Sequence, residues 1–199
     1  MATDPNERWA SVEPGHTLGG RRLRVGRFLG GHAAERASSR GANGERLTGW
    51  WLGRLPGGWH VINDVPVGDE GTNIDHVVVG PAGVFTIDTK NLTGKVWVGP
   101  KSILHNRRRT DFLPEACVQA HRASVLLSSA VGRPVEVRAI LAILADDWTI
   151  KQRPADVYVD ATRGVKDWIL KQPAILRAHE VIELAAAASR PLTWTRPWS

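Results

Sequence analysis

The sequence has very little cysteine and no long apolar segment. Cys117 is the one cysteine among 199 residues, so the chain can form no internal disulfide and no multi-cysteine zinc site. Its longest apolar runs, at 139–144 and 181–188, are far shorter than the roughly 18 residues that cross a bilayer. The N-terminal segment also lacks the apolar core of a signal peptide. These absences predict a soluble protein in a reducing, cytoplasmic setting.

Positive charge, in contrast, is in excess. The chain carries 26 Lys and Arg against 20 Asp and Glu, a formal net charge of +6. Such a balance suits a polyanionic partner, nucleic acid before membrane, although a solvated basic surface has the same composition. Arg107, Arg108 and Arg109 lie between predicted strands and a helix, so we expect either contacts to backbone phosphates or a solvated loop there.

The hydrophobic periodicity predicts an α/β protein. A helix is predicted from Gly44, with Glu45 in its first turn, to the "PGG" at 56–58. Strands are predicted at 59–67, 74–80, 83–90, 94–99, 102–106, 135–144 and 156–161, and further helices at 114–131, 163–171 and 177–189. This order predicts a sandwich in which a mixed sheet is covered by helices on both faces.

The domain organisation follows from composition. Residues 1–31 are predicted to form a basic arm rich in Gly and Arg, 32–190 the folded domain, and 191–199 a tail containing Trp and Pro. Of the nine tryptophans, Trp51, Trp59 and Trp97 are predicted to lie in the core. Trp194 and Trp198 are expected either to dock back on the domain or to touch a partner.

The stretch "NIDHVVVGPAGVFTIDTK" at 73–90 combines two apolar strands with charged residues. Its "GPAG" predicts a tight turn with positive φ at Gly83, and hence an antiparallel hairpin. If the turn is centred between residues 81 and 82, Asp75 lies across from Asp88, while Asp88 and Lys90 share one face. Two neighbouring carboxylates repel unless a cation lies between them, so the hairpin predicts a Mg²⁺ site.

Asp75 followed, after a hairpin, by Asp88-Thr89-Lys90 resembles the PD-(D/E)xK restriction-endonuclease-like superfamily. More narrowly, "NIDHVVVGPAGVFTIDTKNLTGKV" is similar to the core of the nuclease-related domain (NERD) family. The "GANGER" segment resembles that family's helix start and places its acidic residue at Glu45, and "LPEACVQAHRA" places its glutamine at Gln119. Three departures stand out, namely Asp88 in place of the more common Glu, Asn73 in place of Gln, and a longer Pro114 to Gln119 spacing.

The resemblance implies hydrolysis of phosphodiester bonds with Mg²⁺ or Mn²⁺. Asp75, Asp88 and the carbonyl of Thr89 would hold the metal, which polarises the phosphate and lowers the pKa of a bound water. Lys90 would orient the attacking oxygen and offset charge in the transition state. Glu45 would add a ligand, and Gln119 would position phosphate or water.

For these residues structural roles remain open alternatives. Asp88 and Lys90 could form a purely structural ion pair, and Gln119 could be a surface hydrogen-bonding residue. The helix dipole alone could favour Glu45 in the first turn of its helix. For the whole chain, the main expectation is a DNA endonuclease, which as a homodimer would cut both strands. The alternatives are a non-catalytic nucleic-acid-binding module and a regulatory domain that retains the nuclease fold.

Overall fold

The structure is a computed structural model that describes residues 31–67 and 72–195. Its centre is a five-stranded mixed sheet in the order β1-β2-β3-β7-β9. The strands are β1 (His60–Val67), β2 (Thr72–Gly80), β3 (Gly83–Asn91), β7 (Val137–Leu144) and β9 (Val157–Ala161). β1, β2 and β3 form an antiparallel meander, and β7 and β9 continue the sheet parallel to β3.

A second, four-stranded sheet has the order β6-β5-β4-β8. It consists of β4 (Lys95–Val98), β5 (Ile103–His105), β6 (Arg108–Arg109) and β8 (Asp147–Ile150). β8 lies parallel to β4, and the other pairs are antiparallel. The sequence predicted neither β6 nor β8, because two and four residues are too few to establish a strand period.

The helices are α1 (Gly31–Leu52), α2 (Phe112–Val131), α3 (Thr162–Leu170), α4 (Ala178–Ala188) and the short α5 (Pro191–Trp194). On one face of the central sheet, Leu52 of α1 and Val165 of α3 pack around Phe85 and Ile87. On the other face α2, α4 and α5 cover the meander, and the smaller sheet also packs against α2. The predicted sandwich with helices on both faces is therefore confirmed. None of the described helices is long and apolar enough to span a membrane.

The structure changes or decides three of the expectations drawn from the sequence. The first helix begins at Gly31 rather than Gly44, because Gly41 and Gly44 are accommodated within it instead of ending it. Trp97 was wrongly predicted to be buried, since it is 37% exposed on the outer face of β4. Trp194 docks back into the core, where it is 1% exposed. Trp198 and residues 1–30 of the arm predicted at 1–31 lie outside the described residues, and Gly31 is the first residue of α1.

Candidate active site

The β2–β3 hairpin has the predicted register. Gly80 pairs with Gly83 and His76 with Ile87, and no bulge interrupts the ladder between them. Gly83 has φ of 115°, a value that favours glycine and explains the "PAG" turn. The next position of the same register would bring Asp75 opposite Asp88, just beyond the last pair. Both carboxylates therefore belong to one end of the hairpin.

Asp75 is tied to the strand that carries the other charged residues. Its Oδ2 accepts a 2.7 Å hydrogen bond from the backbone N–H of Thr89, the residue between Asp88 and Lys90. Burial raises the pKa of the Asp75 carboxyl well above its usual value, and the nearby Asp88 and Glu45 carboxylates raise it further. The Thr89 N–H and the Lys90 ammonium act in the opposite direction. A cation bound here would therefore relieve the repulsion between Asp75 and the Asp88 and Glu45 carboxylates.

Asp88 and Lys90 form an ion pair, with 2.8 Å between Lys90 Nζ and Asp88 Oδ2. Asp88 is almost fully buried, while Lys90 retains some exposure. Burial alone would lower the pKa of Lys90, but the Asp88, Glu115 and Asp75 carboxylates outweigh it and the net shift is upward. Lys90 is therefore a fixed positive charge at neutral pH, suited to contact a phosphate.

Glu45 reaches this end of the sheet from the middle of α1. Because α1 begins at Gly31, the expectation that Glu45 occupies a first helical turn and benefits from the helix dipole is wrong. Its position follows instead from the packing of the helix on β3. Thr89 Oγ1 donates a 3.0 Å hydrogen bond to Thr48 Oγ1, and a Cβ atom at Gly44 would lie only 2.8 Å from the Cβ of Asn91. Glycine at position 44 lets the helix approach this closely.

Gln119 lies on the face of α2 that is directed toward Lys90. Glu115, one turn earlier on α2, has its Oε2 3.4 Å from Lys90 Nζ, and residues four apart share a helix face. The Gln119 Oε1 atom is buried and accepts no hydrogen bond from the part of the chain described. Gln119 lies four residues, or about 6 Å, farther along α2 than Glu115.

Sequence reasoning missed two residues that contact Lys90. One is Glu115, and the other is Phe112, whose ring centroid lies 5.0 Å from Lys90 Nζ. Glu115 could have been found from the sequence, because it lies four residues before Gln119 and therefore shares its helix face. No local pattern identifies the second, because its contact depends on how α2 packs across the sheet.

His76, which follows Asp75, is completely buried, and strand alternation directs its side chain to the face opposite that of Asp75. Its Nδ1 lies 2.8 Å from Asn63 Oδ1. Burial lowers the pKa of His76 to about 3, with a smaller opposing effect from the backbone of Glu45. The ring is uncharged at neutral pH and packs beneath the site.

The predicted phosphate-contact cluster Arg107–Arg109 is exposed. Asn106 and Arg107 both have positive φ, as in a tight hairpin turn, and the next two residues form β6. Two residues separate Arg109 from Phe112, so their Cα atoms are at most about 11 Å apart. The cluster is thus near the end of α2 that contacts Lys90.

The donor set has the composition of a hard-cation site. It offers the Asp75 and Asp88 carboxylates, the Thr89 carbonyl and, from α1, Glu45, and Mg²⁺ in proteins uses one or two carboxylates with water and phosphate oxygens. Within 31–67 and 72–195, no group of three or more His, Cys, Asp or Glu side chains is already arranged to hold a metal ion. A metal would therefore depend chiefly on the two aspartates.

The chain is similar to a described protein family and to a solved structure. The sequence model of the family described as "Nuclease-related domain" (NERD) matches residues 40–144, just over half of the chain. A solved structure, SfsA of Pyrococcus furiosus in complex with Ca²⁺, aligns with 13% identity and a TM-score of 0.24. The alignment covers 74% of this chain and 52% of SfsA, so the chain spans about half the length of that protein. No curated protein matches.

Proposed function

Because the chain belongs to the nuclease-related domain (NERD) family, we propose that it is a metal-dependent nuclease that hydrolyses phosphodiester bonds, with DNA as its substrate. The observation that carries the proposal is the Thr89 N–H bond to Asp75. This bond holds the first carboxylate against the same three-residue segment in which Asp88 pairs with Lys90. A single cysteine and the basic composition are consistent with a cytoplasmic enzyme acting on a polyanion.

Asp75, Asp88 and the Thr89 carbonyl would hold Mg²⁺ or Mn²⁺, and Glu45 would add a ligand directly or through water. When bound, the metal supplies Lewis-acid polarisation of the phosphate and a water of lowered pKa. The carboxylates are suited to hold a cation because they are buried close together, where their negative charges repel one another. A domain that only binds nucleic acid gains nothing from such an arrangement, whose desolvation is costly without a partner.

The remaining residues would act on the substrate. Lys90 is charged and partly exposed, so its ammonium can contact the scissile phosphate and offset the charge that develops there. Gln119, whose Oε1 is buried without a partner among described residues, would position water or a phosphate group. Arg107, Arg108 and Arg109 would contact the backbone of the nucleic acid farther along, without reading its sequence.

Plasmid cleavage with Mg²⁺, Mn²⁺ or EDTA tests the proposal. We expect metal-dependent cleavage by the wild type and a loss of about 10²- to 10³-fold in Asp88→Asn and Lys90→Met. Lys95→Met is the matched control, because Lys95 and Asp147 form an exposed surface pair 3.6 Å apart. Cleavage that persists in both site variants would refute the assignment. Binding without cleavage under any metal would favour the non-catalytic module.

A further inference from the structure

An open cavity of about 390 Å³ lies beside the candidate site. It is bounded by α1 and by the carboxyl ends of β3, β7 and β9, the edge of an α/β sheet at which ligands are usually bound. Its volume falls within the range of small-ligand sites. The residues that define its chemistry are Trp51, Trp148, Asn91, Asp146, Thr162 and Arg163.

Two partly buried tryptophans line this cavity from different elements. Trp51 comes from α1 and Trp148 from β8. The Trp51 ring has an edge-on contact with the neighbouring Trp50, and the Arg54 guanidinium lies 5.9 Å from its centroid. Trp148 packs against the core that the smaller sheet shares with α2. Indole side chains that line an open cavity are suited to stack on a planar ligand, as nucleobases stack on aromatic side chains.

The polar residues of the cavity match the edge of a base better than a phosphate alone. Asn91 and Asp146 provide amide and carboxylate groups of the kind that read base edges, and the Asn91 Nδ2 also donates a 2.9 Å hydrogen bond to the Arg40 carbonyl. Arg163 is exposed, and it makes no ion pair with any residue of the described segments, which leaves it available to a phosphate. Thr162 is 4% exposed at the wall of the cavity, and its buried hydroxyl lacks a hydrogen-bond partner in the described chain.

The cavity is close to the residues assigned to hydrolysis. Asn91 directly follows Lys90, and consecutive Cα atoms are about 3.8 Å apart. β7, which contributes to the wall, is the immediate neighbour of β3, at a spacing of about 4.8 Å. The Lys90 side chain is directed toward α2 and the Asn91 side chain toward α1, so a nucleic-acid strand with a phosphate at Lys90 would pass around the end of the sheet to place the base of an adjoining nucleotide in the cavity.

We propose that this cavity binds an unpaired nucleobase, so that the substrate is single-stranded or locally unpaired nucleic acid. The inference deepens the proposed function, on which it rests for the position of the scissile phosphate. A base within a duplex cannot enter a concave site unless it is first unstacked and unpaired, at a cost of a few kcal/mol. The site consequently selects against intact duplex.

Binding in EDTA separates this inference from cleavage. The full chain is titrated against a labelled oligothymidine about ten nucleotides long, its blunt duplex, and an abasic strand with the same phosphates, using fluorescence anisotropy. We expect the single strand to bind at least about tenfold more tightly than the other two. Because the abasic strand needs no protein variant, this comparison does not depend on mutant folding.

Paired substitutions then locate the base. Trp51→Leu and Trp148→Leu retain apolar volume but lose the aromatic face, so each should weaken binding of the single strand about fivefold or more. Trp51→Phe should restore most of it. Trp97→Leu is the matched control, because Trp97 lies on the same small sheet as Trp148 but pairs in register with Thr149, on the opposite face.

The outcomes are distinguishable from those of the nuclease test. Equal binding of normal and abasic strands, or leucine variants within about twofold of wild type, would overturn the cavity assignment even if the protein cuts DNA. Conversely, base-dependent binding that both leucine variants lose would establish the cavity, even if no metal elicits cleavage and the proposed nuclease activity fails.

Discussion

Gly44 of α1 and Asn91 of β3 approach so closely that a Cβ atom at position 44 would lie 2.8 Å from the Cβ of Asn91. Real Cβ atoms do not tolerate such a contact, and no side-chain rotation relieves it. The approach brings Glu45 to the end of β3 that bears Asp88 and Lys90. The glycine therefore sets the distance between the helical and the strand parts of the site.

Gly44→Ala should destabilise the fold by about 1–3 kcal/mol, because the overpacked helix must move away from β3. Gly41→Ala is the matched control on the same helix. The nearest atom to a Cβ there is Glu45 Oε1 at 3.9 Å, so the higher helix propensity of alanine should stabilise by up to about 1 kcal/mol. Urea denaturation measures both, and equal effects of the two substitutions would contradict the close-approach argument.

Metal binding should stabilise the folded protein. A cation between Asp75 and Asp88 relieves the repulsion that contributes to the raised pKa of Asp75. At a free Mn²⁺ concentration of about 100 times its Kd, the gain is about 2.7 kcal/mol, which corresponds to a rise in Tm of roughly 5–10 °C for a domain of this size. Thermal unfolding with Mn²⁺ and with EDTA provides the measurement.

Asp88→Asn should abolish that rise, whereas Asp147→Asn should retain it, because Asp147 is an exposed carboxylate in a surface pair. The quantity compared is the metal-induced change within each variant, so a difference in their stability without metal does not matter. If Mn²⁺ raised the Tm of Asp88→Asn as much as that of the wild type, the metal would bind at another site.

The hairpin was predictable because its determinants are local. The "GPAG" turn fixes the register, and strand alternation then places Asp88 and Lys90 on one face. The contacts of Lys90 with Glu115 and Phe112 were not predictable, since they depend on how α2 packs across the sheet. Local sequence periodicity does not show how far α2 lies from Lys90.

The start of α1 shows a different limit. Gly41 and Gly44 suggested a boundary, because glycine weakens an isolated helix by about 1 kcal/mol per residue. In the fold, Gly44 is required by the contact with Asn91, and packing outweighs that cost. Trp97 shows a similar limit in a strand. Its apolar side chain predicted burial, but it lies on the outer face of the small sheet, which is exposed.

Trp194 should contribute to the stability of the domain although it lies close to the C-terminal end of the sequence. It is 1% exposed, and its Nε1 donates a 2.7 Å hydrogen bond to the carbonyl of Ala188. Trp194→Ala should cost about 3–5 kcal/mol in urea denaturation. Leu192→Ala, on the same short helix but 76% exposed, should stay within about 0.5 kcal/mol of wild type. A small effect at Trp194 would show that α5 does not belong to the folded core.

Tyr158 is the one tyrosine in the sequence, so its ionisation can be followed directly by ultraviolet absorbance. Burial, a hydrogen bond from its hydroxyl to Asp160 and the negative charge of Asp160 raise the pKa of Tyr158 to about 12, while Arg153 opposes the shift. The folded protein should therefore titrate near pH 12, and the urea-unfolded protein near the usual value of about 10.

The sign of the linked effect on stability follows from the proton balance. Between about pH 10 and 12 the folded state retains the Tyr158 proton that the unfolded state has lost. The stabilising contribution is thus complete below about pH 10 and is lost as pH rises through the folded-state pKa. Asp160→Asn removes a negative charge, so it should move the titration midpoint down toward 10. An unchanged midpoint in that variant would show that burial alone determines the shift.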